Sequence, residues 1–193
     1  MSMKSTFRTS ILSAAVLAAA LGLAACSPDD AQTMKAARAH VAKQEYEPAR
    51  VQLKGLLQKR SDNGEARLLL GQVMLAANDP AGAEAELRRA LENGQSEEAV
   101  LPALSAAMVS AGRGGLLISQ YGKSRLKDDA AAADVGTQLG TAYFQANALA
   151  DAEGAVADAL RRVPDHVPAQ VLQARLLATR GDIAAAQALA SQL

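Results

Sequence analysis

Several groups of side chains in this sequence have the types and spacing that chemistry requires. Gly122-Lys123-Ser124 reads like the end of a phosphate-binding loop. In such a loop backbone N–H groups cradle phosphates, the lysine reaches the outer ones and the hydroxyl holds magnesium. The loop also needs a glycine five residues before its last one, and that position is Leu117. No apolar strand precedes it either. Ser124-Arg125-Leu126-Lys127 matches the Ser-x-x-Lys of serine acyl-enzymes, but their Lys-Thr-Gly is absent and the pattern is common by chance. His40 and His166 lie 126 residues apart, so a metal site would need carboxylates converging from distant segments. The doublets Arg88-Arg89 and Arg161-Arg162 fall where helix ends are expected, and cations there suit the helix dipole. No nucleophile–base pair is legible. The expectation is a chain that is not an enzyme, with no cofactor and no metal.

Composition points the same way. The 193 residues carry 20 Lys+Arg against 20 Asp+Glu, a formal net charge of zero, which argues against a chain-wide basic surface for nucleic acid. Aromatics are 3% with no Trp, so platforms that stack bases are not expected. The single cysteine, Cys26, excludes an internal disulfide. Alanine supplies 45 residues and leucine is next, a mixture that loses little side-chain entropy in a helix. The fold class expected is all-α.

Cys26 has a particular setting. Lys4 and Arg8 form a short positive region, and residues 11–25 (ILSAAVLAAALGLAA) run without a charge. Fifteen uncharged residues fit the core of a secretory signal and fall short of the ~20 that span a bilayer. The run ends in Leu23-Ala24-Ala25-Cys26. This resembles a bacterial lipoprotein signal, in which the cysteine sulfur receives a diacylglyceryl group and cleavage frees its amine for another acyl chain. Several chains anchor stably where one binds marginally. The resemblance implies a signal peptide at 1–25, lipidated Cys26, a linker over 26–30 and a protein facing the periplasm. Ser27 after the cysteine resembles the pattern sent to the outer membrane. Cleavage would remove Lys4 and Arg8 and no acid, leaving a net charge of −2.

The remainder, 31–193, repeats with a period near 34. Counting Gly64 as position 1 puts Leu70 and Gly71 at 7 and 8, Met74 at 11, Ala83 at 20, Leu87 at 24 and Ala90 at 27. The same frame from Ala133 gives Leu139, Gly140, Tyr143, Ala152, Val156 and Ala159. These are the packing positions of a tetratricopeptide repeat, whose period is 34. Small residues at 8, 20 and 27 let two helices cross closely, and bulk at 7, 11 and 24 fills between them. Asp79-Pro80 reads as an N-cap followed by Pro at N1, and Gly181-Asp182 as a C′ glycine and an N-cap. The expected units are 30–63, 64–97, 98–131, 133–166 and an incomplete 167–193, with one inserted residue near Ala132. The third is the least regular, with Leu117 at position 20, a Gly112-Arg113-Gly114-Gly115 turn, and Pro102, which is tolerated only in a helix's first turn. The expected architecture is a right-handed α–α superhelix of about four and a half helix–turn–helix repeats.

In repeats of this kind the first helices line a concave face that binds protein or extended peptide. The resemblance places Arg38, Glu65, Leu68, Gln72, Leu75, Val109, Asp134, Thr137, Thr141, Phe144 and Arg175 on it. The Lys and Asn with which chaperone-binding relatives hold a peptide carboxylate are missing: those positions are Met34 and Arg38, Leu68 and Gln72, Pro102 and Ala106. Residues 183–193 carry no charge, unlike the polar outer helix that ends a natural array. This end is therefore expected to be an open seam. Another repeat would cover it in a longer parent; otherwise it would fray or self-associate.

The lipobox together with YEPARVQLK at 46–54, EARLLLG at 65–71, AEAELRRALENG at 83–94 and VLPAL at 100–104 resembles the N-terminal part of the TPR-repeat lipoprotein of the PEP-CTERM/exosortase system. That resemblance implies a lipid-anchored scaffold beside exopolysaccharide and protein-sorting machinery. The alternative is an outer-membrane assembly lipoprotein that helps β-barrels or pilus secretins insert.

Overall fold

The structure, a computed structural model, describes residues 28–193. Cys26, Ser27 and residues 1–25, expected to be a signal peptide, lie outside the described residues. Among the described residues ten α-helices follow one another: α1 (Pro28–Ala42), α2 (Tyr46–Lys59), α3 (Gly64–Ala76), α4 (Pro80–Glu92), α5 (Glu97–Ser110), α6 (Gly114–Tyr121), α7 (Asp129–Gln145), α8 (Leu149–Arg162), α9 (Val167–Thr179) and α10 (Ile183–Ala190). They form five antiparallel pairs stacked into a superhelix, and the second helix of the fifth pair has 8 residues.

One turn recurs in all five pairs. Gln44, Asn78, Gly112, Asn147 and Gly181 stand at position 15 of their units, and each has a positive φ, between 59 and 87°. In each, the next residue's N–H donates back to the carbonyl five residues earlier, as Asp79 does to Met74 at 2.8 Å and Arg113 to Met108 at 2.7 Å. This six-to-one bond closes the first helix with a Schellman motif and reverses the chain at a fixed angle. Glycine and asparagine tolerate the left-handed conformation, and they hold four of these five turns. Caps then start the next helix: Asn63, Asp79, Ser96, Asp128, His166 and Asp182 each accept a backbone N–H three residues on.

Packing follows the frame. Ala49, Ala83 and Ala152 at position 20 are fully buried, and Leu53, Leu87 and Val156 at position 24 fill the space beside them. A Cβ on Gly71 would lie 2.5 Å from Leu87 Cγ, so α3 and α4 cross where only glycine fits. The third pair departs from this. Leu117 is fully buried at position 20, and α6 stops at Tyr121 after 8 residues. A loop over 122–128 takes over, pinned by buried Leu126 and by the Lys127 N–H donating to Glu98 Oε1 at 3.1 Å. With α6 short, α5 packs mainly on α4 and α7. The extra length sits in α7, which begins four residues ahead of Ala133 and is capped by Asp128. Arg113, in the turn before α6, reaches back to buried Glu84 at 3.3 Å, which also accepts from Arg88 at 2.9 Å.

Pro102 corrects an expectation. It is the sixth residue of α5, past the first turn, and α5 runs through it. The proline leaves the Glu98 carbonyl without its helical donor. Burial of Val100, Leu101 and Leu104, all at 0% exposure, holds the helix together regardless.

Candidate functional site

First helices of neighbouring pairs lie side by side, and polar contacts across them define one face. Arg38 of α1 donates to Glu65 of α3. Asp134 of α7 meets the Nε2 of His166, the cap of α9, at 3.0 Å. The Arg175 guanidinium of α9 lies 5.0 Å from the Phe144 ring centroid of α7, a cation–π distance. Five of the charged or aromatic candidates thus take part in contacts between neighbouring first helices or their caps.

Between these bridges, α3 and α5 present a quieter strip. Leu68 and Leu75 are half-buried against the core, while Gln72 is exposed. Pro102 and Ala106 continue the strip on α5 as half-buried residues. Thr141 is half-buried, with its hydroxyl donating to the Thr137 carbonyl at 3.0 Å. Such a strip offers shallow apolar contact and one free amide.

Two candidates are not on an open face. Val109 is 8% exposed, because α7 packs directly against α5 where α6 is short. Thr137 is 4% exposed: its hydroxyl donates to the Ala133 carbonyl at 2.8 Å, and His166 Nδ1 lies 3.3 Å away. A ligand on the face meets neither side chain.

The motifs with possible chemistry have structural occupations. Gly122 is the C-cap of α6, and Ser124 and Lys127 belong to the pinned loop. The chain also contains Ser61-Asp62-Asn63, the Ser-Asp-Asn that accompanies Ser-x-x-Lys in acyl-enzymes. Here it is the turn into α3: Asn63 Oδ1 accepts the Ala66 N–H at 2.9 Å, and the Ser61 carbonyl accepts from Arg67 at 2.6 and 2.9 Å. His40 Nδ1 stands 2.6 Å from Glu45 Oε2, and this hydrogen bond holds the Glu45 carboxyl below its ordinary value. Among the described residues no three His, Cys, Asp or Glu side chains are grouped to hold a metal ion. No helix among them is long and apolar enough to cross a membrane.

Residues 40–107 match the family model of the tetratricopeptide repeat. Solved structures extend the likeness over the whole array. The chain is similar to YrrB, described as a TPR protein with an unusual peptide-binding site, at 16% identity over 81% of this chain and 80% of that one, with a TM-score of 0.57. It is similar to the MamA protein at 17% identity over 83% and 87%, with a TM-score of 0.62. A double mutant of MamA aligns at 14% identity over 86% and 93%, with a TM-score of 0.66. No curated protein matches the sequence. The fold is that of a tetratricopeptide-repeat solenoid.

Proposed function

We propose that this protein is a lipid-anchored scaffold that holds a protein or extended peptide along its first helices. Its setting is the exopolysaccharide and exosortase pathway of a Gram-negative envelope. Cys26 carries the lipid, and Ser27 directs the protein to the outer membrane. The observation that supports binding is the open strip Leu68, Gln72, Leu75, Pro102 and Ala106, flanked by repeats that cross-bridges hold in register. A groove fixed before binding loses little entropy when a peptide settles into it. The C-terminal face is a second contact surface for self-association: Val171, Ile183 and Leu193 are 45, 51 and 49% exposed.

Two experiments test this reading. Cells labelled with a radioactive fatty acid are fractionated, with Cys26→Ser as control. Label in the membrane fraction that disappears in the variant supports the anchor; an unlabelled, soluble wild type refutes it. A photo-crosslinking residue placed at position 72 in the producing cells should capture a discrete partner. Capture at exposed position 51 on α2 that equals capture at 72 would refute the groove.

A further inference from the structure

Positions 4 and 23 of a repeat face each other across the groove between its two helices. In the second repeat these are Arg67 and Glu86, joined at 2.6 Å with side chains only 13 and 14% exposed. The Arg67 guanidinium also donates to the Ser61 carbonyl, so a planar cation fills that groove. In the third repeat Leu101, 0% exposed, stands at position 4. In the fourth repeat the two positions are Gly136 and Ala155, and nothing fills the groove. A cleft of about 350 Å³ opens there, bounded by α7, α8 and the loop that replaces the end of α6. That volume is at the lower end of ligand pockets, about 300–1,000 Å³.

The walls carry two carboxylates, Asp151 and Asp158, two guanidinium groups, Arg125 and Arg162, and one aromatic ring. Tyr143 is half-buried in the cleft, whereas Met74 and Met108 at the same position of other repeats are buried. Its ring offers a face for guanidinium stacking. Asp151 and Asp158 line the cleft at positions that Gly82 and Arg89 hold in the second repeat. Asp158 already accepts from Arg161 at 2.7 Å; Asp151 has no partner among the described residues. Arg162 is bound to Asp129 at 2.8 Å, and Arg125 stands on the loop side. A Cβ added to Gly136 would meet nothing nearer than 3.5 Å, so the space tolerates a side chain.

We propose that this cleft is a pocket for an arginine side chain of a polypeptide partner, which takes in the fourth repeat the place Arg67 takes in the second. The cleft lies on the other side of α7 from Asp134 and Thr141, by the helical rotation of 100° per residue. It therefore does not rest on the first-helix face or on the lipid anchor.

The test uses the full chain in detergent micelles, isotope-labelled and titrated with Nα-acetylarginine amide. Amide signals of Gly136, Tyr143 and Gly154 are expected to shift saturably, and Nα-acetylalanine amide should not move them. Gly136→Arg combined with Ala155→Glu rebuilds the pair of the second repeat and should abolish the shifts while raising Tm. Asp151→Asn should weaken binding about tenfold, the loss expected for one charge-assisted hydrogen bond. Absence of a saturable shift overturns the proposal. So does an equal response to Nα-acetylglutamate amide, which would assign the site to Arg125 and a carboxylate. An unchanged titration in the folded double variant overturns it too. Should that variant fail to fold, unchanged affinity in Asp151→Asn does the same.

Discussion

In the second repeat α4 runs 13 residues from Pro80 to Glu92 and lays Ala83, Leu87 and Ala90 against α3. In the third, α6 has 8 residues, Leu117 occupies the place of Ala83, and a loop pinned by Leu126 finishes the unit. A small residue at position 20 lets two helices approach until their backbones nearly touch. Leucine there sets them apart. The third repeat then gets its cohesion from its neighbours: α5 packs on α4 and α7, and Arg113 reaches back to Glu84. Regular units hold themselves together, while the irregular one is held by the array. Stability in repeat proteins divides in this way between each unit and its interfaces.

The largest effect that tests this contrast comes from Leu117. Leu117→Ala makes the third repeat resemble the second in sequence, yet it removes a fully buried side chain whose surroundings are built around it. The expected loss is about 2–5 kcal/mol in chemical denaturation. A neutral or stabilising result would show that the third repeat can close like the second, and that Leu117 is not what separates its helices.

Next comes overpacking. Gly71→Leu forces a side chain into Leu87, with an expected loss of about 1–3 kcal/mol in thermal melts. Ser105, at the same position of the third repeat, is 1% exposed, with its hydroxyl donating to the Pro102 carbonyl at 3.1 Å. The irregular unit has no slack here, so Ser105→Leu should lose as much. A markedly smaller loss at Ser105 would mean that α5 can shift on its neighbours.

Capping gives a smaller test with opposite signs in two repeats. Position 16 opens each second helix: Asp79 caps α4 through the Gly82 N–H at 2.9 Å, whereas Ala148 leaves α8 without a side-chain cap. Asp79→Ala should destabilise by about 1 kcal/mol, and Ala148→Asp should stabilise by a similar amount. Equal and opposite shifts in Tm would show that one frame governs both turns.

These comparisons also show what the sequence could and could not carry. The period, the small crossing positions and the glycine turns were legible because each is a property of one residue type at one place. Gln44 adopts the same left-handed turn with no such signal, since the rest of the motif holds it there. Val109 and Thr137 are buried where an open face is expected, because their cover comes from packing between repeats: α7 on α5, and the cap of α9 over α7. The cleft at Gly136 and Ala155 was hidden for a related reason. Its emptiness is visible only beside the Arg67–Glu86 pair that fills the same groove two repeats earlier. The bridges Arg38–Glu65 and Asp134–His166 were likewise illegible, because each joins residues about one repeat apart that are neighbours only after stacking.

The smallest expected effect lies in the first repeat, where Glu45 holds the position that Asp79 holds in the second. Glu45 does not cap its helix. Its carboxylate is bound by His40 at 2.6 Å, and that hydrogen bond, helped by the charge of Lys43, holds its pKa below the ordinary glutamate value. A carboxyl with a lowered folded-state pKa stabilises the fold above its unfolded value, about 4.3, and loses that contribution as pH falls through the folded value. Because the group is solvent-exposed, the contribution is screened and small. Glu45→Gln should therefore lower Tm slightly at pH 5–6 at low salt, and the gap from wild type should close as pH falls towards 3. Added salt should narrow it at every pH. A gap that persists unchanged at pH 3 would show that glutamine disturbs the turn itself, and that position 16 matters in the first repeat through its shape.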